Sequence, residues 1–539
     1  MTPNSQIHRQ LELAVAHHRA GRLPEAEAIY RRVLSSQPKN TDALYLLGLV
    51  TQLTARYAES VELFQRAVRV NPKSAKYWVN LALSVGGMGL GRTGEAIEAL
   101  RKAVALDPNI PEAWSNLGNE YRNDSRFEEA RQCYAKALAL RPNFADAQLN
   151  LGVTLQETEQ SFAPALDAYE KAIAMQPDFA LAHWNLGFAL LLLGDYSRGL
   201  AEYEWRWRTN TVSAPRNFHQ PQWTGETLQG RRILIHAEQG LGDAIHMARY
   251  IPLVARRGGK VILECPGPLV RLFRQLPGLT EIVHYGDPLP HFDIHCPLMT
   301  LPLVFHTTLD TIPAEVPYIK PDPQLVAHWQ QKMPPDPTRP RVGLVWAGAP
   351  ANKNDRNRSM SLQELAPLAE IKSARFFSLQ KGPAAAQTAR PPKGMELIDF
   401  TQEFTDFADT AAMTANLDLV IAVDTSVAHL AGAMGRPVWI MIPFMPDWRW
   451  LRERSDSPWY PTVKIFRQSR QRKWPEVVQK ITEALNAFSP SFPSPGTPGE
   501  PSLSSSGSFG TMGGGLSTAL LSTPPPSRAA PGEGLKKTL

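Results

Sequence analysis

Ala113-Trp-Ser-Asn-Leu117-Gly118-Asn-Glu-Tyr-Arg-Asn-Asp-Ser-Arg-Phe-Glu-Glu-Ala-Arg-Gln-Cys-Tyr134-Ala-Lys-Ala137-Leu-Ala-Leu-Arg-Pro142 is one pass of a pattern that recurs along the first two fifths of the chain. The pair Leu-Gly stands at 47–48, 117–118, 151–152 and 186–187, with Leu81-Ala82 in the equivalent place. A proline closes each unit at Pro38, Pro72, Pro108, Pro142 and Pro177, at intervals of 34, 36, 34 and 35 residues. Between them recur Phe64 with Ala67, Leu100 with Ala103, Tyr134 with Ala137 and Tyr169 with Ala172. Each unit reads as two amphipathic helices whose small residues lie where the pair packs closely.

This pattern resembles the tetratricopeptide repeat, over roughly residues 7–207 in six units, the first and last imperfect. The last ends in Glu204-Trp205-Arg206-Trp207 where a closing proline is expected, which predicts that the array runs into the next domain and packs on it. Stacked helix pairs make a superhelix whose concave face can hold an extended protein or peptide segment. A plain spacer or dimerisation module is the alternative. His17, His18 and His183 stand alone in this array and form no catalytic constellation.

Composition bounds the rest. The chain has 539 residues, 43% hydrophobic and 20% charged, which suits about three to four folded units and excludes wholesale disorder and a collagen-like fibre. A net charge of +6 over this length does not argue for a nucleic-acid partner. Three scattered cysteines, Cys133, Cys265 and Cys296, make neither a disulfide framework nor a spaced zinc site, and point to a reducing compartment. No secretory signal and no membrane-length apolar run is visible, so a soluble, cytoplasmic protein without a transmembrane segment is expected.

From about residue 218 short apolar runs alternate with helical stretches. Strands are expected at Arg232–His236, Lys260–Glu264, Glu281–His284, near Phe292–His295, and at Arg341–Trp346, Arg375–Leu379, Asp418–Val423 and Pro437–Ile442. Helices are expected at Asp243–Arg257, Ser361–Ile371, Ser426–Met434 and Trp474–Phe488, and a linker at Pro334–Pro340. The expected organisation is an all-α array over 1–210, two Rossmann-like α/β halves over 218–333 and 341–488 facing a cleft, and a disordered Pro/Gly/Ser tail over 489–539.

Three segments carry chemistry. In Glu238-Gln239-Gly240-Leu241-Gly242-Asp243 two glycines admit a ligand to the backbone at a helix start; Asp243 is either a helix N-cap or a carboxylate base at the cleft floor. In Asp424-Thr425-Ser426-Val-Ala-His429 a second strand-to-helix turn offers hydroxyls and backbone N–H groups to an anion, and Asp424 to a sugar hydroxyl; His429 is a polar contact or a packed histidine. The loop from Trp346 to Ser359 carries Lys353, Arg356 and Arg358, which suit a diphosphate or a solvated surface.

Together with Gly242-Asp243-Ala-Ile-His, the run Asp424 to Val438 and the tract Pro443-Phe-Met-Pro-Asp447-Trp448-Arg-Trp450 to Ser457-Pro-Trp459-Tyr-Pro461, residues 218–488 resemble a GT-B glycosyltransferase of the heptosyltransferase-like family (glycosyltransferase family nine), in the form fused to tetratricopeptide repeats. The resemblance implies inverting sugar transfer from a nucleotide-diphosphate donor without metal or other cofactor. It implies Asp243 as general base and Arg358 as the phosphate contact. Gly240, Gly242, Asp424, Thr425, Ser426 and His429 would line the donor turns, Ser426 standing where the family commonly has Gly. The sequence holds no Asp-x-Asp pair. Trp448, Trp450 and Trp459 read as a packing layer. The other class of function is a binding scaffold whose transferase half is inactive.

Overall fold

The computed structural model describes residues 3–158, 162–209, 215–336, 338–352, 354–469 and 473–488. The tail over 489–539 and Lys353 lie outside the described residues. Contacts divide the chain into two compact units, one ending at Ala182 and one beginning at His183.

The described residues of the first unit form helix pairs: Pro3–Arg19 with Leu23–Ser36, Thr41–Leu53 with Tyr57–Val70, Ala75–Gly87 with Thr93–Leu106, Pro111–Asn123 with Phe127–Leu140, and Ala145–Thr158 with Ala163–Met175. The repeat signature has a steric origin. A Cβ on Gly48 would lie 2.7 Å from the Phe64 ring, one on Gly118 2.7 Å from Tyr134, and one on Gly152 2.7 Å from Tyr169. The glycine of the first helix therefore seats the aromatic ring of the second. Where the first position is Ala82, the second is the smaller Leu100, so the summed volume is held. Ala67, Ala103, Ala137 and Ala172 are fully buried beside these rings. The recurrent tryptophans tie a helix to the proline turn before it: Trp78 Nε1 donates to Pro72 O at 2.9 Å and Trp114 Nε1 to Pro108 O at 2.8 Å.

The second unit begins inside the helix Ala180–Leu193 and continues through Tyr196–Tyr203 and a 3₁₀ turn, Glu204–Arg208. Two wholly parallel sheets follow. The first is ordered β3-β2-β1-β4, with β1 Arg232–His236, β2 Lys260–Cys265, β3 Leu279–His284 and β4 Ile294–Pro297. The second is ordered β10-β9-β8-β5-β6-β7, with β5 Arg341–Val345, β6 Arg375–Ser378, β7 Leu397–Asp399, β8 Leu419–Val423, β9 Val438–Ile442 and β10 Val463–Arg467. β8 and β9 are buried at every position, which is why they read as unbroken apolar runs.

Two expected helices are corrected. Asp243–Arg257 is not one helix: Leu241–Met247 gives way to a 3₁₀ turn, Ala248–Tyr250, and then to Ile251–Arg256, which has Pro252 in its first turn. Ser361–Ile371 is a 3₁₀ run, Leu362–Glu370, because Pro367 inside it removes an amide donor. The chain also reaches the second sheet's helices before Pro334. The Tyr318 N–H donates to Ala433 O at 3.0 Å, and Trp329 of the helix Pro323–Lys332 donates through Nε1 to Asp409 at 3.3 Å. No helix among the described residues is long and apolar enough to cross a membrane.

The ring-on-glycine packing predicts compensation. Gly118→Ala should destabilise the array by about 1–3 kcal/mol through overpacking, and adding Tyr134→Leu should recover part of that loss, as Ala82 with Leu100 does. Equilibrium urea unfolding of the single and double variants checks this; a strictly additive double variant contradicts it.

Candidate functional site

β1 delivers the chain to Glu238–Gly240, and Gly240, in an extended conformation, is the N-cap of Leu241–Met247. Asp243 is the third residue of that helix rather than its N-cap. Its Oδ2 accepts the Gly240 N–H at 2.9 Å, and its Oδ1 accepts from Arg449 Nη2 at 2.6 Å. The side chain keeps 26% of its surface exposed. Burial raises its carboxyl pKa and the Arg449 guanidinium opposes the rise.

The turn is held from behind by residues that the sequence did not single out for this role. The Glu238 side chain is 4% exposed; it accepts from Arg206 Nη2 at 3.0 Å and from the Met299 N–H at 3.2 Å, and burial pushes its pKa up to about 7. Arg206 is fully buried; it also pairs with Glu204 and donates to Thr300 Oγ1 at 2.9 Å. Gln239 Nε2 donates to Tyr203 Oη at 3.1 Å. Trp459 Nε1 donates to Tyr196 Oη at 3.0 Å, and Trp448 packs against Tyr196 and Tyr203. The segment from Tyr196 to Arg206 is therefore built into the unit that carries the sheets.

The second turn follows β8. Thr425 is the N-cap of Ser426–Ala433, and its buried Oγ1 has no partner. Asp424 is buried, and its carboxyl is pushed up to about 6 by burial and by the neighbouring Asp447, against the pull of Arg358 and Arg449. Arg358 ends the short helix Asp355–Arg358 and donates from Nη1 to the Asp424 carbonyl at 2.9 Å. Gly348 admits it: a Cβ there would lie 2.6 Å from Arg358 Nη2. His429 stacks on Trp450 at 5.1 Å, and its Nδ1 lies 3.0 Å from Tyr460 Oη. Its Nε2 lies 3.9 Å from Asp424 Oδ1, and burial holds its pKa well below the usual value, so the ring is neutral.

The two turns meet. A Cβ on Gly242 would lie 3.0 Å from His429 Cδ2 and 3.4 Å from Ser426 Cα, so the two helix starts approach closely and a larger residue here would crowd the His429 ring. Arg449 spans them. Beyond Asp243, it donates from Nη1 to Asp447 at 2.7 Å and from Nε to His246 Nδ1 at 3.1 Å. Arg249 reciprocates from the first half, donating to Trp459 O at 2.7 Å and to Tyr318 Oη at 3.1 Å. Trp448, Trp450 and Trp459 are buried and pack as a layer behind these contacts. Among the described residues, no three His, Cys, Asp or Glu side chains come together to hold a metal ion.

Topology explains the location. In the first sheet the chain runs β1-β2-β3 to one side and returns to β4 on the other side of β1; in the second it runs β5-β6-β7 and returns to β8 on the other side of β5. At such switch points successive loops diverge and leave a crevice at the carboxyl ends of the strands. The segments that follow β1 and β4, and those that follow β5 and β8, carry Asp243, Met299, Arg358 and Asp424.

Models of the tetratricopeptide repeat match residues 10–50, 90–122, 111–144 and 160–194, and the N-terminal array is built of such repeats. The chain is similar to Protein FlbA of Caulobacter vibrioides, at 28% identity over 330 residues, 56% of this chain and 54% of that protein. It thus spans about half the length of this curated relative. Solved structures similar to the repeats include YrrB, described as a tetratricopeptide protein with an unusual peptide-binding site (27% identity, 32% of this chain and 88% of that one, TM-score 0.28). Another is PilW, a type IV pilus biogenesis factor (25% identity, 38% of this chain and 93% of that one, TM-score 0.34).

The raised Asp424 carboxyl has a signed consequence. The fold favours the protonated acid, so native protein binds more protons than unfolded chain between the ordinary value of 3.8 and about 6, and stability is lost as pH rises through that window. Asp424→Asn should remove this component: melting curves should show wild type losing stability relative to the variant from pH 4 to 7. Parallel curves contradict the assignment.

Proposed function

We propose that the second unit is a metal-independent, inverting glycosyltransferase of the GT-B type, and that the repeats recruit its acceptor, a protein or peptide. The observation that carries this reading is the meeting of the Asp243 and Asp424–Ser426 turns across Gly242, each at a switch point of a parallel sheet. The acceptor hydroxyl attacks the anomeric carbon of a nucleotide sugar, and the bond from that carbon to the diphosphate oxygen breaks on the opposite face. Asp243 takes the hydroxyl proton; two lone pairs of its carboxylate stay available beside those engaged by Gly240 and Arg449. The leaving diphosphate gathers charge where Arg358 and the N–H groups that open Ser426–Ala433 can neutralise it. Thr425 Oγ1, buried without a partner, suits a phosphate or sugar oxygen. Asp424 accepts a donor hydroxyl, and the neutral His429 ring backs it.

A scaffold reading has its own support, in that both Asp243 oxygens and Arg358 already serve contacts within the fold. Calorimetry of the intact chain without added metal, against UDP, GDP, ADP and CMP and their common sugar conjugates, separates the two. One nucleotide diphosphate should bind, with affinity lowered at least about tenfold in Arg358→Ala. Binding to none of them favours the scaffold. Once an acceptor is found, Asp243→Asn should lower turnover by about 10²–10⁴-fold while nucleotide affinity changes little. Joint loss of nucleotide binding and of thermal stability would instead make Asp243 a structural residue.

A further inference from the structure

The tract after β9 brings a third carboxylate to the two turns. Asp447 is the N-cap of the 3₁₀ turn Trp448–Trp450. Both of its bonds fall on one oxygen: Oδ1 accepts the Arg449 N–H at 3.0 Å and Arg449 Nη1 at 2.7 Å. The other arm of the same guanidinium, Nη2, reaches Asp243 Oδ1 at 2.6 Å, so Asp447 and Asp243 flank one cation. Among the described residues nothing donates to Asp447 Oδ2, and the side chain keeps 30% of its surface exposed, beside 26% for Asp243. A carboxylate fixed through one oxygen and open at the other is a preorganised acceptor for a hydroxyl.

The backbone that carries Asp447 is held against its own preference. Leu451, which ends the turn, has a φ of +45°, a left-handed conformation that leucine rarely adopts. Its carbonyl accepts from Arg467 Nη2 at 2.8 Å, and Trp448 packs against the Arg449 guanidinium at 4.5 Å. Trp450 stacks on His429 of the Asp424 turn at 5.1 Å. Strain retained by such surroundings gathers at sites that fix a group for a ligand. One carboxylate balances the charge of Arg449, yet it has two. The charge of Asp447 also raises the carboxyl pKa of Asp243 and of Asp424, so its field reaches both turns. Pairing with Arg449 leaves the second carboxylate and its open oxygen without a structural task.

We propose that Asp447 Oδ2 accepts hydroxyl groups of the donor's sugar unit, so that this residue reads the sugar and not the nucleotide; the assignment rests on the glycosyltransferase reading above. In that reading Arg358 and the start of Ser426–Ala433 take the phosphates and Asp243 takes the acceptor's proton. The sugar lies between those two ends, and Asp447 joins them, to Asp243 through Arg449 and to the Asp424 turn through Trp450 on His429. Calorimetry of the intact chain without added metal compares UDP-, GDP-, ADP- and CMP-sugars with the bare nucleotide of the same base, in wild type and in Asp447→Asn. The asparagine keeps an acceptor for the Arg449 N–H and replaces the open oxygen. It should weaken the bound conjugate at least about tenfold and change the bare nucleotide by less than about twofold, since a hydrogen bond to a charged group is lost only with the sugar present. If melting shows that Asp447→Asn does not fold, Asp447→Glu, which keeps the charge and displaces the open oxygen, carries the test with the same expected loss. Equal effects on conjugate and bare nucleotide, or no effect on either, overturn the role of Asp447 and leave the nucleotide-sugar reading intact. Failure of folded wild type to bind any conjugate or nucleotide overturns that reading, and this assignment with it.

Discussion

Arg449 lies in the interior of the second unit and gives up its hydration there, a cost of several kcal/mol that only a full set of partners offsets. It finds them on both sheets' sides of the candidate site: Asp447 on its own segment, and Asp243 and His246 on the helix after β1. A charge-assisted bond of 2.6 Å from Arg449 fixes the carboxylate of Asp243 in place, and one of 2.7 Å to Asp447 holds the guanidinium itself. Arg249 makes the reciprocal reach into the Trp459–Tyr460 segment, and Arg271 joins the helix Gly267–Phe273 to Asp406 and Asp409. The two halves are thus cross-braced by guanidinium groups.

The same physics extends to the helices that end the repeat pattern. Arg206 and Tyr203 reach Glu238 and Gln239, the residues immediately before Gly240, so the Asp243 turn is held by helical residues as well as by strands. A purely modular junction would leave Glu204-Trp205-Arg206-Trp207 exposed; here Arg206 is buried and Trp205 stacks on His183 at 3.9 Å.

The repeats were legible because their packing is local: Gly118 and Tyr134 lie 16 residues apart and recur in register. The strands were legible because burial on both faces leaves apolar runs, and β1 runs Arg232–His236 as expected. β7, only three residues and half-buried throughout, carried no such signal, and β10 alternates at Lys464. Helical periodicity over 243–257 hid the break before Pro252. At the site, the strand-to-helix turns were readable from glycine and hydroxyl residues. Arg449, Glu238 and Arg206 were not, because their roles rest on partners up to 206 residues away in sequence.

Hydrogen exchange of the intact chain, with and without a saturating mixture of nucleoside diphosphates, tests the central claim most directly. If the two turns form one anion-binding site, amides of 240–247 and of 424–430 gain protection together while those of 3–158 do not change. Protection confined to the repeats, or to one turn without the other, would contradict the account.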